Sequence, residues 1–200
     1  TIAQHLTPTQ RMLAYLDAIT RMEHSLEDYQ SGRSQQRIVG NGGYFNPNGK
    51  GHPNVTGIVT PAGPSTAAGA FQINNRTWND PNLGFNQKLG NFREPVNQVA
   101  AATALIQRRG ALDDVLKGNI VDATKKLPRE WEGLPDNARL NNDAARWEKF
   151  TEAFRESAAA TLRGDSPLLK AIGNMDPEAL IAFAKGFPAQ FKQAAKAAGE

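Results

Sequence analysis

The chain has no cysteine among its 200 residues, which excludes disulfide bonds, thiol catalysis and cysteine-ligated zinc. Histidine is also scarce: the three that occur, His5, His24 and His52, do not show the spacing of metal ligands. We therefore expect neither a metal ion nor another cofactor. No hydrophobic run reaches the length of a membrane-spanning helix, so a membrane-spanning role is not expected.

Positive charge is present only in slight excess, with a formal net charge of +3. The densest basic pairs, Arg108-Arg109 and Lys125-Lys126, each lie late in a predicted helix, where the helix dipole favours cations. We therefore do not expect a nucleic-acid partner, whose mark would be a steep salt dependence of DNA affinity. A mild positive charge also suits a polyanionic surface such as a bacterial cell wall.

One acid stands on the apolar face of the first predicted helix. Residues 7–10, Thr-Pro-Thr-Gln, have the pattern of an N-cap, a proline at the first helical position and a capping-box glutamine. Apolar residues then recur at helical spacing, at Met12, Leu16, Ile19 and Leu26. Glu23 fills the gap in this stripe.

Two interpretations of Glu23 fit this pattern. A helix often carries one polar residue near the end of its apolar stripe, exposed where the helix leaves the core. Alternatively, Glu23 is a half-buried carboxylic acid at the wall of a cleft. There, desolvation would raise its pKa and keep it protonated near neutral pH, as a general acid requires. The spacing alone does not decide between them.

The composition separates helical from irregular parts of the chain. Residues 31–64 are rich in Gly, Asn, Pro and Ser, which favours short strands, tight turns and long binding loops. Helices are predicted before and after this part, over residues 8–27, 95–109, 112–126 and 142–162. The order predicts an α+β fold with a cleft between a small irregular β lobe and a mainly helical lobe. Glu23 would lie at that cleft.

The last part of the chain is punctuated by helix starts and stops. Ser166-Pro167, Asp176-Pro177 and Pro188 each predict the start of a short helix. We therefore divide the chain into a domain over residues 1–163 and a helical extension over residues 164–200. Packing of the extension on the domain is favoured because short helices are marginal unless buried, and docking of a partner is the alternative. We expect a monomer.

Several segments carry a family resemblance, in the same order as in the family. They are LDAITRMEHS around Glu23, IVGNGGYF at 38–45, HP at 52–53, STAAGAFQI at 65–73, RRGAL at 108–112 and GNIVDATKKLPREWEGLP at 118–135. From about Leu13 to about Phe154, the chain resembles the bacteriophage lambda lysozyme (endolysin) family of lytic transglycosylases. The resemblance implies a lysozyme-like fold and places Glu23 at the catalytic glutamate of the family.

The activity that the resemblance implies is cleavage of the β-1,4 bond between N-acetylmuramic acid and N-acetylglucosamine in peptidoglycan. Glu23 would act first as acid and then as base, and the product would be a 1,6-anhydro sugar. The implied partner is the peptidoglycan glycan strand in the bacterial periplasm or cell wall. Phage lysis machinery or a virion would deliver the enzyme, and a phage or virion protein could bind the C-terminal extension.

The resemblance also suggests substrate contacts. Ser65, Thr66 and Gln72 match a motif expected to line the cleft, although the same residues could serve only the turn and strand. Tyr44 and His52 belong to β-lobe loops that cover the glycan in the family, although a core or loop-anchoring role is equally open. After GLP, the aromatic-rich loop of the family is replaced here by DNARLNNDAAR. Its polar residues Asn137, Arg139 and Asn141 could take over contacts.

Two rival functions remain open. A muramidase would hydrolyse the same bond and usually needs a second carboxylate, for which Asp28 or Glu27 is the nearest acid in sequence. Solvated acids at a helix end are the simpler interpretation, and a charge on Glu27 would help to raise the pKa of Glu23. The other rival is a non-catalytic cell-wall-binding virion module, against which the inward position of Glu23 argues.

Overall fold

Helix α1 (Pro8–Glu23) is the central element of the computed structural model, which describes residues 1–136 and 143–188. It begins with the predicted capping box: the side chain of Thr7 accepts from the Gln10 N–H, and the side chain of Gln10 accepts from the Thr7 N–H. Every residue from Met12 to Thr20 is buried. The helix is thus covered on all sides, rather than along the single predicted stripe.

The first helix ends at Glu23, short of the predicted residue 27. The backbone of His24 is extended, and Ser25 then caps a new helix, α2 (Leu26–Ser31), by accepting from the Asp28 N–H. Because the chain changes direction at His24, Leu26 no longer follows the phase of α1 and is 62% exposed. The prediction that Leu26 continues the apolar stripe is therefore wrong.

The β lobe is small and irregular, as predicted. Strand β1 (Val59–Thr60) pairs antiparallel with β2 (Gly63–Pro64) through the tight turn between them. Isolated bridges join Arg37 to Tyr44 and Ala68 to Ile38 and Ile73. The lobe is therefore held mainly by contacts between loops. Two single-turn 3-10 helices, Ile2–His5 and Arg33–Gln36, precede these strands in the chain.

The helical lobe follows from residue 75 onward. Its helices are α3 (Asn75–Trp78), α4 (Phe85–Leu89), α5 (Pro95–Arg108), α6 (Leu112–Lys117), α7 (Ile120–Lys125), α8 (Asp143–Arg163), α9 (Pro167–Ile172) and α10 (Pro177–Lys185). The helix predicted over 112–126 is divided because Gly118, with φ of +85°, ends α6 in the left-handed conformation. No helix in the described parts of the chain is long and apolar enough to cross a membrane.

The two described helices of the C-terminal extension pack onto the rest of the fold. Helix α10 lies mainly against α5, and α9 contacts α1 and α5. Their apolar side chains, among them Leu168, Ile172, Leu180 and Ile181, belong to the common hydrophobic core. The helix predicted to start at Pro188 falls on residues 189–200, which lie outside the described ranges. The division into domain and extension stays a prediction.

A fully buried carboxylate, Asp17, joins the elements around α1. Its Oδ2 accepts from the Tyr29 hydroxyl of α2 at 2.5 Å and from the Ser157 hydroxyl of α8 at 2.6 Å. Its Oδ1 accepts from the backbone N–H of Leu168 in α9 at 3.4 Å, and Arg21 of α1 lies 3.5 Å from Oδ2. The network fixes four helices relative to one another.

We expect Asp17→Ala to destabilise the protein by about 3–5 kcal/mol, because it leaves buried donors and a partly buried guanidinium without their acceptor. Urea unfolding followed by circular dichroism measures this difference. Asp17→Asn is the matched control: it keeps the side-chain volume and one acceptor oxygen and should lose less stability. An alanine variant as stable as the wild type would show that the network does not hold the helices.

Candidate active site

Glu23 is the last residue of α1, half-buried where the helix meets the two lobes. Its Oε1 accepts a hydrogen bond from the backbone N–H of Gly133 at 2.8 Å. A Cβ atom at Gly133 would lie only 2.7 Å from that oxygen and 2.9 Å from the backbone carbonyl oxygen of Met22. Only glycine allows the backbone to approach the carboxyl group so closely.

The pKa of Glu23 is raised to about 7. Burial is the main cause, and the negative charge of Glu132 raises the pKa further. The hydrogen bond from Gly133 and the positive charge of Arg146 act in the opposite direction. The expectation of a raised pKa is confirmed, but the nearby acid responsible is Glu132. Glu27 is an exposed residue of α2, because α1 has already ended.

Glu23 opens into a cleft of about 310 Å³ between the lobes. The β1–β2 hairpin lines one part of the cleft, and residues 129–132 line another. Ser65 and Gln72, two of the predicted substrate contacts, lie in this cleft together with Glu23 and Asn74. Three elements that are distant in sequence thus form one site.

The STAAGAFQI segment is held by its own backbone geometry. Gly69 has φ of +81°, and a Cβ atom there would lie 2.1 Å from the side-chain oxygen of Gln98. That oxygen accepts from the Ala70 N–H at 3.0 Å. The Gln72 side chain donates to the carbonyl oxygens of Gly69 at 2.9 Å and Arg37 at 3.2 Å. Gln72 therefore both lines the cleft and holds the turn.

Ser65 and Thr66 lie beside each other but face different surroundings. The Ser65 hydroxyl donates to the side-chain oxygen of Asn74 at 3.2 Å and accepts from the Ala67 N–H. The Thr66 hydroxyl accepts from the Asn75 N–H at 3.0 Å, and Thr66 lines a neighbouring cavity that does not include Glu23. The structure thus brings Ser65, but not Thr66, to the cleft of Glu23.

Tyr44 and His52 do not line the cleft at Glu23. The Tyr44 hydroxyl donates to Asp28 at 2.5 Å, and the guanidinium of Arg33 lies 3.8 Å from its ring centre. His52 Nδ1 accepts from the Asn54 N–H, so Nε2 carries the proton and donates to a backbone carbonyl oxygen at 2.7 Å. Burial lowers the pKa of His52 to about 4, and the ring is neutral. Their roles as substrate contacts stay predictions.

The acids that share the cleft with Glu23 are Glu130 and Glu132, which sequence reasoning did not single out. Glu130 forms an ion pair with Arg109 at 2.6 Å. Asp28 instead accepts from Tyr44 and lies 3.6 Å from Arg37, and it is not among the residues that line the cleft. The only sequence signal for the acids in the cleft was their place in REWEGLP.

Polar candidates from the sequence also fall beyond the described site. Asn137, Arg139 and Asn141 lie outside the described ranges.

In residues 1–136 and 143–188, no group of three or more His, Cys, Asp or Glu side chains could hold a metal ion.

Comparisons with known proteins identify the family of this chain. A family model described as Endolysin matches residues 13–161. The endolysin of Escherichia phage lambda is 30% identical over 124 residues, which are 61% of this chain and 75% of the phage protein. A lysozyme from bacteriophage lambda matches with a TM-score of 0.60 and 26% identity, over 74% of this chain and 94% of the lysozyme.

A bacteriophage lambda lysozyme complexed with a chitohexasaccharide is also similar, with a TM-score of 0.55 and 29% identity over 72% of this chain and 94% of that chain. These structures confirm the predicted lysozyme-like α+β fold. The matched region contains Glu23 and the residues that line its cleft. The chain therefore belongs to the Endolysin family and is a peptidoglycan-degrading enzyme.

Proposed function

We propose that this enzyme is a lytic transglycosylase that cleaves the β-1,4 bond between N-acetylmuramic acid and N-acetylglucosamine and leaves a 1,6-anhydro product. The observation that carries the proposal is the pKa of about 7 of Glu23 in the cleft. A single group that must first give and then take a proton works best when its pKa lies near the working pH.

The reaction divides into two proton transfers at Glu23. The protonated carboxyl donates to the glycosidic oxygen, and the N-acetylglucosamine side leaves with its 4-hydroxyl. The muramoyl C1 is stabilised by the N-acetyl group of the same sugar. The Glu23 carboxylate then removes the proton of the muramoyl C6 hydroxyl, whose oxygen bonds to C1 and closes the anhydro ring. No water is consumed, and Glu23 returns to its protonated form.

The residues around Glu23 stabilise both its protonated and its ionised form. The Gly133 N–H stabilises the carboxylate that forms after the first step, and the charge of Glu132 favours return of the proton. The Arg146 guanidinium donates to the carbonyl oxygens of Glu132 and Gly133 at 3.1 Å each. It therefore holds the segment that supplies the Gly133 donor.

A hydrolytic muramidase is the second candidate, because Glu132 and Glu130 share the cleft with Glu23. A second carboxylate could activate a water molecule in such a reaction. Glu130 forms the ion pair with Arg109, and Glu132 lies close enough to Glu23 to raise its pKa, so Glu132 is the acid to test for this role.

The substrate in this proposal is the peptidoglycan glycan strand. A related phage lambda lysozyme has been solved in complex with a chitohexasaccharide, which supports binding of an N-acetylated glycan here. Ser65 and Gln72 would contact the sugars in the Glu23 cleft, and Thr66 would contact them in the adjoining cavity. We propose that a monomer acts at the bacterial cell wall, delivered by lysis machinery or a virion.

Digestion of purified peptidoglycan, read by mass spectrometry of the muropeptides, tests the reaction. We expect anhydro-ended products from the wild type and none from Glu23→Gln. Products with reducing ends that disappear in Glu132→Gln would instead establish the muramidase. An absence of products from the wild type would contradict the proposed cleavage of this bond.

The rate of cleavage should fall as the pH rises above about 7, because only protonated Glu23 can donate to the leaving oxygen. Glu132→Gln should shift this alkaline limb to lower pH, since it removes a charge that favours the protonated form. Glu27→Gln is the matched control and should leave the limb in place. Coinciding profiles for wild type and Glu132→Gln would contradict the assigned cause.

Gly133→Ala should reduce the cleavage rate about tenfold or more while the protein stays folded, because the new methyl group displaces the donor to Glu23. The backbone carbonyl of Met22 blocks an easy relaxation. Gly51→Ala is the control, since nothing lies within 4 Å of a Cβ atom there. Full activity of Gly133→Ala, with an unchanged circular dichroism spectrum, would show that the hydrogen bond is not needed.

A further inference from the structure

The cleft at Glu23 continues into a second cavity of about 400 Å³. Pro64, Ser65 and Asn74 line both, so the two spaces meet at these residues. Beyond this shared border, the second cavity is lined by three threonines, by Gly57 and by Arg76 of α3. Together the cleft and the cavity form a groove that is longer than the reaction site.

Arg76 is an exposed side chain without an internal partner. Across residues 1–136 and 143–188, its guanidinium has no ion pair, hydrogen bond or aromatic contact. Many other described arginines are held in place: Arg11 by backbone carbonyl oxygens, Arg37 by Asp28 and Arg109 by Glu130, for example. The guanidinium donors of Arg76, which lines the second cavity, are therefore not used within the described parts of the protein.

The two ends of the groove differ in charge. Glu23, Glu130 and Glu132 line the reaction end, although Arg129 is there as well. Among the described residues around the second cavity there is no carboxylate, and Arg76 is the charged group. A neutral N-acetylglucosamine polymer has no anionic group that could form an ion pair with this cation. A ligand that carries carboxylates has such groups, and a guanidinium binds a carboxylate through two parallel hydrogen bonds.

In peptidoglycan, such carboxylates belong to the stem peptide that is attached to each muramoyl sugar. We propose that Arg76 binds a stem-peptide carboxylate of a muramoyl residue seated in the second cavity. Arg76 is thus a specificity-determining residue that favours peptide-bearing strands over bare glycan. The inference rests on the proposed function in one respect: the glycan strand must occupy the cleft at Glu23.

Equilibrium binding separates this contact from the reaction. All proteins carry Glu23→Gln, which prevents cleavage, and three soluble probes are compared. The probes are peptide-bearing peptidoglycan strands, strands stripped of peptide by an amidase, and chitohexaose. Stripped strands keep the lactyl carboxylate, and chitohexaose has no carboxylate. Arg76→Gln should weaken binding of the peptide-bearing strands about tenfold and leave the other two probes unchanged.

Two further variants complete the design. Arg76→Lys keeps the charge without the planar pair of donors. Its affinity for the peptide-bearing strands should lie between those of the Glu23→Gln parent and Arg76→Gln. Arg163→Gln is the matched control for loss of one charge: Arg163 is 61% exposed, is paired with Asp165 and ends α8 outside the groove. It should bind all three probes as the parent does.

The remaining outcomes overturn the inference. Equal weakening for stripped strands would place the contact at the lactyl group, and equal weakening for all probes would place it on the sugar. Unchanged binding throughout would show Arg76 to be a solvated side chain. Binding is measured without cleavage, so the two proposals can fail separately. If digestion gives anhydro products but Arg76→Gln does not change binding, only the inference about Arg76 is wrong. If Arg76→Gln weakens binding of peptide-bearing strands but digestion gives no products, only the proposed reaction is wrong.

Discussion

The buried carboxylate of Asp17 is the constraint on which the site depends. It stands in the middle of α1 and accepts from donors in α2, α8 and α9, so that the helices around α1 cannot shift independently. Arg21, one turn further along, pairs with Glu156 of α8 at 2.7 Å. Because α1 is fixed along its length, its last residue, Glu23, is presented at a defined place between the lobes.

A second set of contacts brings the rest of the site to Glu23. The indole N–H of Trp131 donates to the backbone carbonyl oxygen of Phe71 at 2.9 Å, which joins the REWEGLP segment to the STAAGAFQI segment. Arg146 of α8 holds the carbonyl oxygens that follow Trp131. The Gly133 N–H is thereby aimed at Glu23. The backbone that contacts Glu23 is thus held by two side chains of the helical lobe, of which Trp131 also binds the backbone of the STAAGAFQI segment.

The features predicted best from the sequence are those that depend only on neighbouring residues in the chain. The start of α1 follows from its capping box, and Glu23 is conspicuous because it interrupts an apolar stripe. The break at His24 and the burial of Asp17 were missed, because both depend on partners far along the chain. The acid beside Glu23 was misidentified for the same reason. For His52, no pattern could reveal that backbone groups occupy both ring nitrogens.

The raised pKa of Glu23 also affects folding. In the unfolded chain the carboxyl would titrate near its ordinary value of 4.5, whereas in the native protein it holds its proton up to about 7. Between these values the native state binds more protons than the unfolded state, so the stability that this group contributes declines as the pH rises through that window. Above it, the folded chain carries a desolvated anion. The proposed catalytic acid is thus a local weakness of the fold at alkaline pH, one that a neutral amide at this position would lack.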